Sequence, residues 1–169
     1  MLERPGSVTM RGNPLTLVGQ EIVVGQKAPD FTLVTNEMGV VNLSDYAGKA
    51  LALVSVPSLD TPTCAVETRR FNAEAAKLST DVRILTISMD LPFAIKRFCT
   101  VAEIDKAVAL SDHRDASFGE AFGVLIKELR LLARAVFVVD KNDVVTYAEY
   151  VPEATDAPNY ENLLAFLKK

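Results

Sequence analysis

A chain of 169 residues, 49% hydrophobic and 24% charged, is long enough to bury a core and too apolar to be disordered. A formal net charge of −4 and the lack of any basic tract argue against a nucleic-acid or membrane-surface binder. Two cysteines and one histidine cannot readily fill a four-ligand zinc site, and no apolar run reaches the ~18 residues of a membrane span.

The first twelve residues have no apolar core of a signal peptide, so a cytoplasmic protein is expected. Val8, Met10, Leu15 and Leu17 flank Gly12–Asn13–Pro14, which predicts an N-terminal β-hairpin turning at those three residues. Residues 24–33 carry one short extended stretch. A short strand is expected at 40–43 and a brief helical turn, ended by Gly48, at 44–48. Residues 50–56 form an unbroken apolar run, the pattern of a strand buried on both faces. Cys64, Phe71, Ala75 and Leu78 then recur at helical spacing, which predicts a helix over 63–79. A strand at 82–88, a helix at 92–102 carrying Cys99, a strand at 108–110 and a helix at 115–122 follow. Residues 134–140 and 144–150 read as two strands joined by the turn Lys141–Asn142–Asp143, and 158–167 as a final helix. No linker or repeat divides the chain, so residues 1–169 are read as one domain. The alternation predicts an α/β fold of thioredoxin-like order: a central mixed sheet flanked by helices, preceded by the hairpin.

The chemistry concentrates where the strand 50–56 ends. The loop from Pro57 delivers Cys64 to the first turn of a helix, where unpaired backbone N–H groups and the positive dipole end favour a thiolate. Cysteines so placed have pKa values lowered from ~8.5 to ~3.5–7.5, and the thiolate is the nucleophile. Pro57, Thr61 and Cys64 form P-x-x-x-T-x-x-C. Reaction with a peroxide needs a thiolate, a hydroxyl to hold the attacked oxygen, and a cation for the developing charge. Thr61 can supply the hydroxyl, or cap the helix. Pro57 and Pro62 stiffen the loop. Arg134, beside the apolar run that begins at Ala135, is the expected cation, because a charge there needs a partner.

These segments resemble a known family. Ser58–Leu59–Asp60–Thr61–Pro62–Thr63–Cys64 is similar to the active-site loop of bacterial thiol peroxidases, which are atypical two-cysteine peroxiredoxins. Ser88–Met89–Asp90–Leu91–Pro92–Phe93–Ala94 with Lys96–Arg97–Phe98–Cys99 resembles the family's resolving-cysteine segment, and Ala133–Arg134–Ala135–Val136 its arginine segment. The resemblance runs along nearly the whole chain. It implies Cys64 as peroxidatic cysteine, Cys99 as resolving cysteine forming an intrachain disulfide with it, and Thr61 and Arg134 as catalytic groups. Pro57, Thr61 and Arg134 would contact the hydroperoxide. It also implies no metal or organic cofactor, thioredoxin as electron donor, and a homodimer. Phe31, Phe93 and Phe98 are expected along the approach to the site. Residues 125–132 are more apolar and poorer in glycine than the family pattern.

Two other readings compete. A cysteine hydrolase would pair Cys64 with His113, whose setting in Ser111–Asp112–His113–Arg114 reads instead as a polar surface loop. A non-catalytic redox-sensing module could use the same fold. A dithiol oxidoreductase is disfavoured, since the sequence has no C-x-x-C.

Overall fold

A computed structural model describes residues 1–61, 69–70, 73–74, 77, 81–102 and 108–167, with side chains at 100–102 left aside. Cys64 and most of the expected helix 63–79 lie outside the described residues; Arg69, Arg70, Ala73 and Glu74 are helical.

The hairpin consists of β1 (Glu3–Met10) and β2 (Asn13–Val18). Its turn is Arg11–Gly12, not Gly12–Asn13–Pro14: Met10 pairs with Asn13 and Pro14 with Thr9. Both turn residues have positive φ, 51° and 81°, the two-residue geometry whose twist suits a hairpin and which glycine adopts without strain. Asn13 and Pro14 therefore belong to the strand.

The other strands are β3 (Thr32–Val34), β4 (Val40–Asn42), β5 (Ala50–Ser55), β6 (Val82–Ser88), β7 (Val108–Ser111), β8 (Leu125–Ile126), β9 (Leu131–Leu132), β10 (Ala135–Val139) and β11 (Val145–Tyr150). Seven of them form a mixed sheet in the order β11-β10-β5-β6-β7-β3-β4. Strand β5 runs parallel to β6 and β6 to β7, while β10 is antiparallel to β5. Strands β8 and β9 extend the hairpin into a second sheet, β1-β2-β8-β9. That sheet was not foreseen, because a two-residue strand is too short to show any periodicity.

The helices with described bounds are α1 (Pro92–Ala102), α2 (Ser117–Ala121) and α3 (Tyr160–Leu167), with a 3-10 turn at Leu43–Tyr46. Helix α2 is shorter than the expected 115–122: Ala116, just before it, has φ 51°, which is not helical. The Asp112 carboxylate instead accepts the Phe118 and Gly119 N–H groups at 3.0 and 2.8 Å.

Strand β5 shows why its run is apolar throughout. Leu51 and Leu53 join a core with Leu17, Phe118, Phe122 and Phe137, under the smaller sheet and α2. Ala52, Val54 and the following Val56 join another with Ile95 of α1 and Leu163, Leu164 and Leu167 of α3. Alternate residues thus enter two cores, one on each face of the sheet. Among the described residues, no helix is long and apolar enough to cross a membrane.

Candidate active site

The register of β5 against β10 sets the site. Ser55 lies opposite Ala135, so the chain leaving β5 through Val56 and Pro57 runs beside Arg134 just before β10. The Ser55 hydroxyl fastens this corner by donating to the Ala133 carbonyl at 2.6 Å. Pro57 is buried and Thr61 half-buried. Pro57, Thr61 and Arg134 line one cavity of about 530 Å³, together with Met10, Leu15 and Leu129. Three residues expected at the site from sequence are therefore brought together.

Arg134 is 2% exposed, and its Nε donates to the Ala154 carbonyl at 3.1 Å. That contact orients the guanidinium plane on a cavity wall. The Ala154 segment is itself tied to the hairpin: Ala154 N–H donates to the Thr9 carbonyl at 2.8 Å. The Glu153 carboxylate accepts from Gly12 N–H, Thr9 Oγ1 and Thr155 N–H and Oγ1. These hydrogen bonds, Gly12 and Thr155 foremost, pull its pKa down to about 2. Thr61 Oγ1 donates to the Ser58 carbonyl at 3.2 Å, which leaves its oxygen as the acceptor toward other groups.

Cys99 is a free thiol on α1, half-buried against the core beneath that helix. Burial pushes its pKa up. A cavity of about 400 Å³ lies on this side of the loop, lined by Asp60, Ala94, Arg97 and Phe98. Asp60 and Thr61, adjacent in sequence, thus border different cavities, one on the Cys99 helix and one on Arg134.

The expected phenylalanine approach is corrected in part. Phe31 is 1% exposed and packs edge-on to Phe118 at 5.8 Å, inside the core. Phe93 is largely exposed and lines neither cavity, and Phe98 lines the Cys99-side cavity. The apolar wall beside Arg134 comes instead from Met10, Leu15 and Leu129. His113 lines neither cavity. Ser55, Ser58 and Asp90 were missed as site-building residues. Ser58 and Asp90 stood within the quoted motifs, but nothing in the sequence paired them.

The family model described as Redoxin matches residues 23–164. The thiol peroxidase of Bacillus subtilis is 60% identical over 154 residues, covering 91% of this chain and 92% of that protein. The thiol peroxidase of Halalkalibacterium halodurans is 55% identical over 162 residues, covering 96% and 97%. The chain belongs to the thiol peroxidases, peroxiredoxin enzymes of the redoxin family. Among solved structures, a peroxiredoxin-like protein from Aquifex aeolicus superposes with a TM-score of 0.90 at 40% identity, covering 96% of each chain. The thioredoxin-like fold expected from the order of strands and helices is therefore the fold of this family.

Proposed function

We propose that this thiol peroxidase, acting as one domain of residues 1–169, reduces hydroperoxides through Cys64. The observation that carries the reading is the shared cavity of Pro57, Thr61 and Arg134, since the chain reaches Cys64 three residues after Thr61.

The Cys64 thiolate attacks the terminal oxygen of the hydroperoxide. The S–O bond forms as the O–O bond breaks, and the leaving alkoxide or hydroxide departs as alcohol or water after protonation. Arg134 stabilises the thiolate and the charge spreading onto the leaving oxygen. Thr61 Oγ accepts a hydrogen bond from the peroxide O–H and so aligns the O–O bond. Cys64 is left as a sulfenic acid. Cys99 sulfur then attacks the Cys64 sulfur, water leaves, and a disulfide forms. A disulfide needs Cα atoms about 4.4–6.8 Å apart, and the two cysteines belong to different helices in the sequence reading, so at least one helix end unwinds during the cycle. Its raised pKa keeps Cys99 a thiol until that step. A thioredoxin dithiol then reduces the disulfide through a mixed disulfide and is itself oxidised. A homodimer and a cytoplasmic setting complete the proposal. The apolar wall of Met10, Leu15 and Leu129 suits alkyl as well as hydrogen peroxide.

The test is to mix reduced wild type, Cys64→Ser and Cys99→Ser with hydrogen peroxide or cumene hydroperoxide and follow peroxide loss and peptide masses. The expected result is a Cys64–Cys99 disulfide in wild type, a sulfenic acid at Cys64 in Cys99→Ser, and no reaction in Cys64→Ser. Peroxide consumption by Cys64→Ser at the wild-type rate would overturn the proposal.

A further inference from the structure

Asp90 stands between β6 and α1, two residues before Pro92, the first residue of the helix that carries Cys99. Its backbone is anchored to the ends of two core strands. Its N–H donates to Ser88 Oγ at 3.3 Å, and its carbonyl accepts from Ser111 Oγ at 2.5 Å. Its carboxylate reaches across to the other cysteine's loop. Oδ1 accepts from Ser58 Oγ at 2.8 Å, and Oδ2 accepts from Leu59 N–H at 2.8 Å and Ser88 Oγ at 2.9 Å. Ser58 passes the constraint on: its Oγ accepts the Asp60 N–H at 3.1 Å, and its carbonyl accepts the Thr61 hydroxyl. Thr61 is thus tied to Asp90 through a single residue.

We infer that Asp90 is a positioning residue, a latch that holds the loop before Cys64 against the root of the Cys99 helix during attack on peroxide and must yield for the disulfide to form. The inference rests on the cysteine roles proposed above. Hydrogen bonds to an ionised acceptor are the strong ones, and this carboxylate concentrates three of them at one point. While they hold, Thr61 is oriented toward the Arg134 cavity. When they break, the loop that leads to Cys64 is released while the root of α1 stays anchored through Ser88 and Ser111, so the freedom the disulfide step requires is gained on the Cys64 side. The latch therefore favours the first step and opposes the second. It also lengthens the life of the sulfenic acid. During that time a second hydroperoxide can oxidise the sulfenic acid to sulfinic acid while being reduced to alcohol or water, a dead end without repair.

Asparagine at this position presents N–H groups where an oxygen now accepts. Asp90→Asn is expected to slow sulfenic acid formation about tenfold, the effect of losing a hydrogen bond to a charged group. It is also expected to leave disulfide formation as fast as or faster than wild type, and to raise the peroxide concentration giving half-conversion to sulfinic acid. Rapid mixing and peptide masses read all three. Leu167→Ala, on α3 beside Ala50 and Val138 at the opposite end of β5 from the latch, is the control for general destabilisation and should leave that concentration unchanged. If Asp90→Asn does not fold, Ser58→Ala removes the Oδ1 contact, together with the Asp60 N–H contact to the same hydroxyl, and is read the same way. Wild-type values for both rates and for the half-conversion concentration, or changes matched by Leu167→Ala, would overturn the latch. Activity in Cys64→Ser would overturn the proposed function itself; an inactive Cys64→Ser with wild-type behaviour in Asp90→Asn overturns the latch alone.

Discussion

The Ser55 hydroxyl donates to the Ala133 carbonyl at 2.6 Å, joining the end of one central strand to the residue before Arg134. Ser55 is fully buried, so no water can replace it as a donor. Ser55→Ala should lower stability by about 1 kcal/mol, the ordinary worth of such a bond. It should also lower kcat/KM for peroxide several-fold, because the backbone that carries the guanidinium loses its fixing point. Chemical denaturation and steady-state kinetics on one preparation check both.

Arg134 cannot be replaced by another cation without loss. Its Nε holds Ala154 while the residue lines the cavity, and lysine has neither the plane nor the fork of donors. Arg134→Lys should lower kcat/KM about 100-fold, the scale of one lost charge-stabilising donor in a transition state. Thr61→Val should show a loss of the same order and Thr61→Ser much less, since serine keeps the hydroxyl. Equal activity of Thr61→Val and wild type would remove the hydroxyl from the mechanism.

The raised pKa of Cys99 predicts a pH dependence for disulfide formation and not for the first oxidation. Below that pKa the reactive thiolate fraction grows about tenfold per pH unit. Disulfide formation should therefore quicken as pH rises through neutrality. Stopped-flow traces at several pH values separate the phases, and a flat second phase would show that Cys99 deprotonation does not limit it.

Two carboxylates should make stability depend on pH with opposite signs. Glu153 has its pKa lowered to about 2 by its hydrogen bonds, so the stability it contributes is present above its ordinary value and lost as pH falls toward 2. Asp112 is raised to about 6, chiefly by burial, so its contribution is greatest below its ordinary value and fades as pH rises through 6. Glu153→Gln should flatten the acid limb of a thermal-midpoint profile, and Asp112→Asn the fall between about 4 and 6. Unchanged profiles in both variants would contradict these assignments.

Much of this was legible in the sequence, for identifiable reasons. Strands β5 and β10 are apolar without alternation because both faces are covered, and helix α1 opens on a proline. Their bounds follow from local composition. The site was legible in part because Thr61 and Arg134 are residue types that peroxide chemistry needs. What escaped depends on distant pairing. Strands β8 and β9 exist only because the hairpin edge accepts them, and Phe31 turned inward to a ring cluster that no local pattern describes. Asp90 was read with Cys99, yet its carboxylate serves the loop that precedes Cys64.

The cavity walls are drawn from the hairpin, the loop after β5, the segment ending at Arg134 and the Ala154 loop. In order of synthesis, Cys64 precedes the arginine and the carbonyl that orients it by most of the remaining chain. On the roles proposed above, an incomplete chain would carry the Cys64 thiol without its cation, and full reactivity toward peroxide would follow only once the Ala154 loop has closed on Arg134.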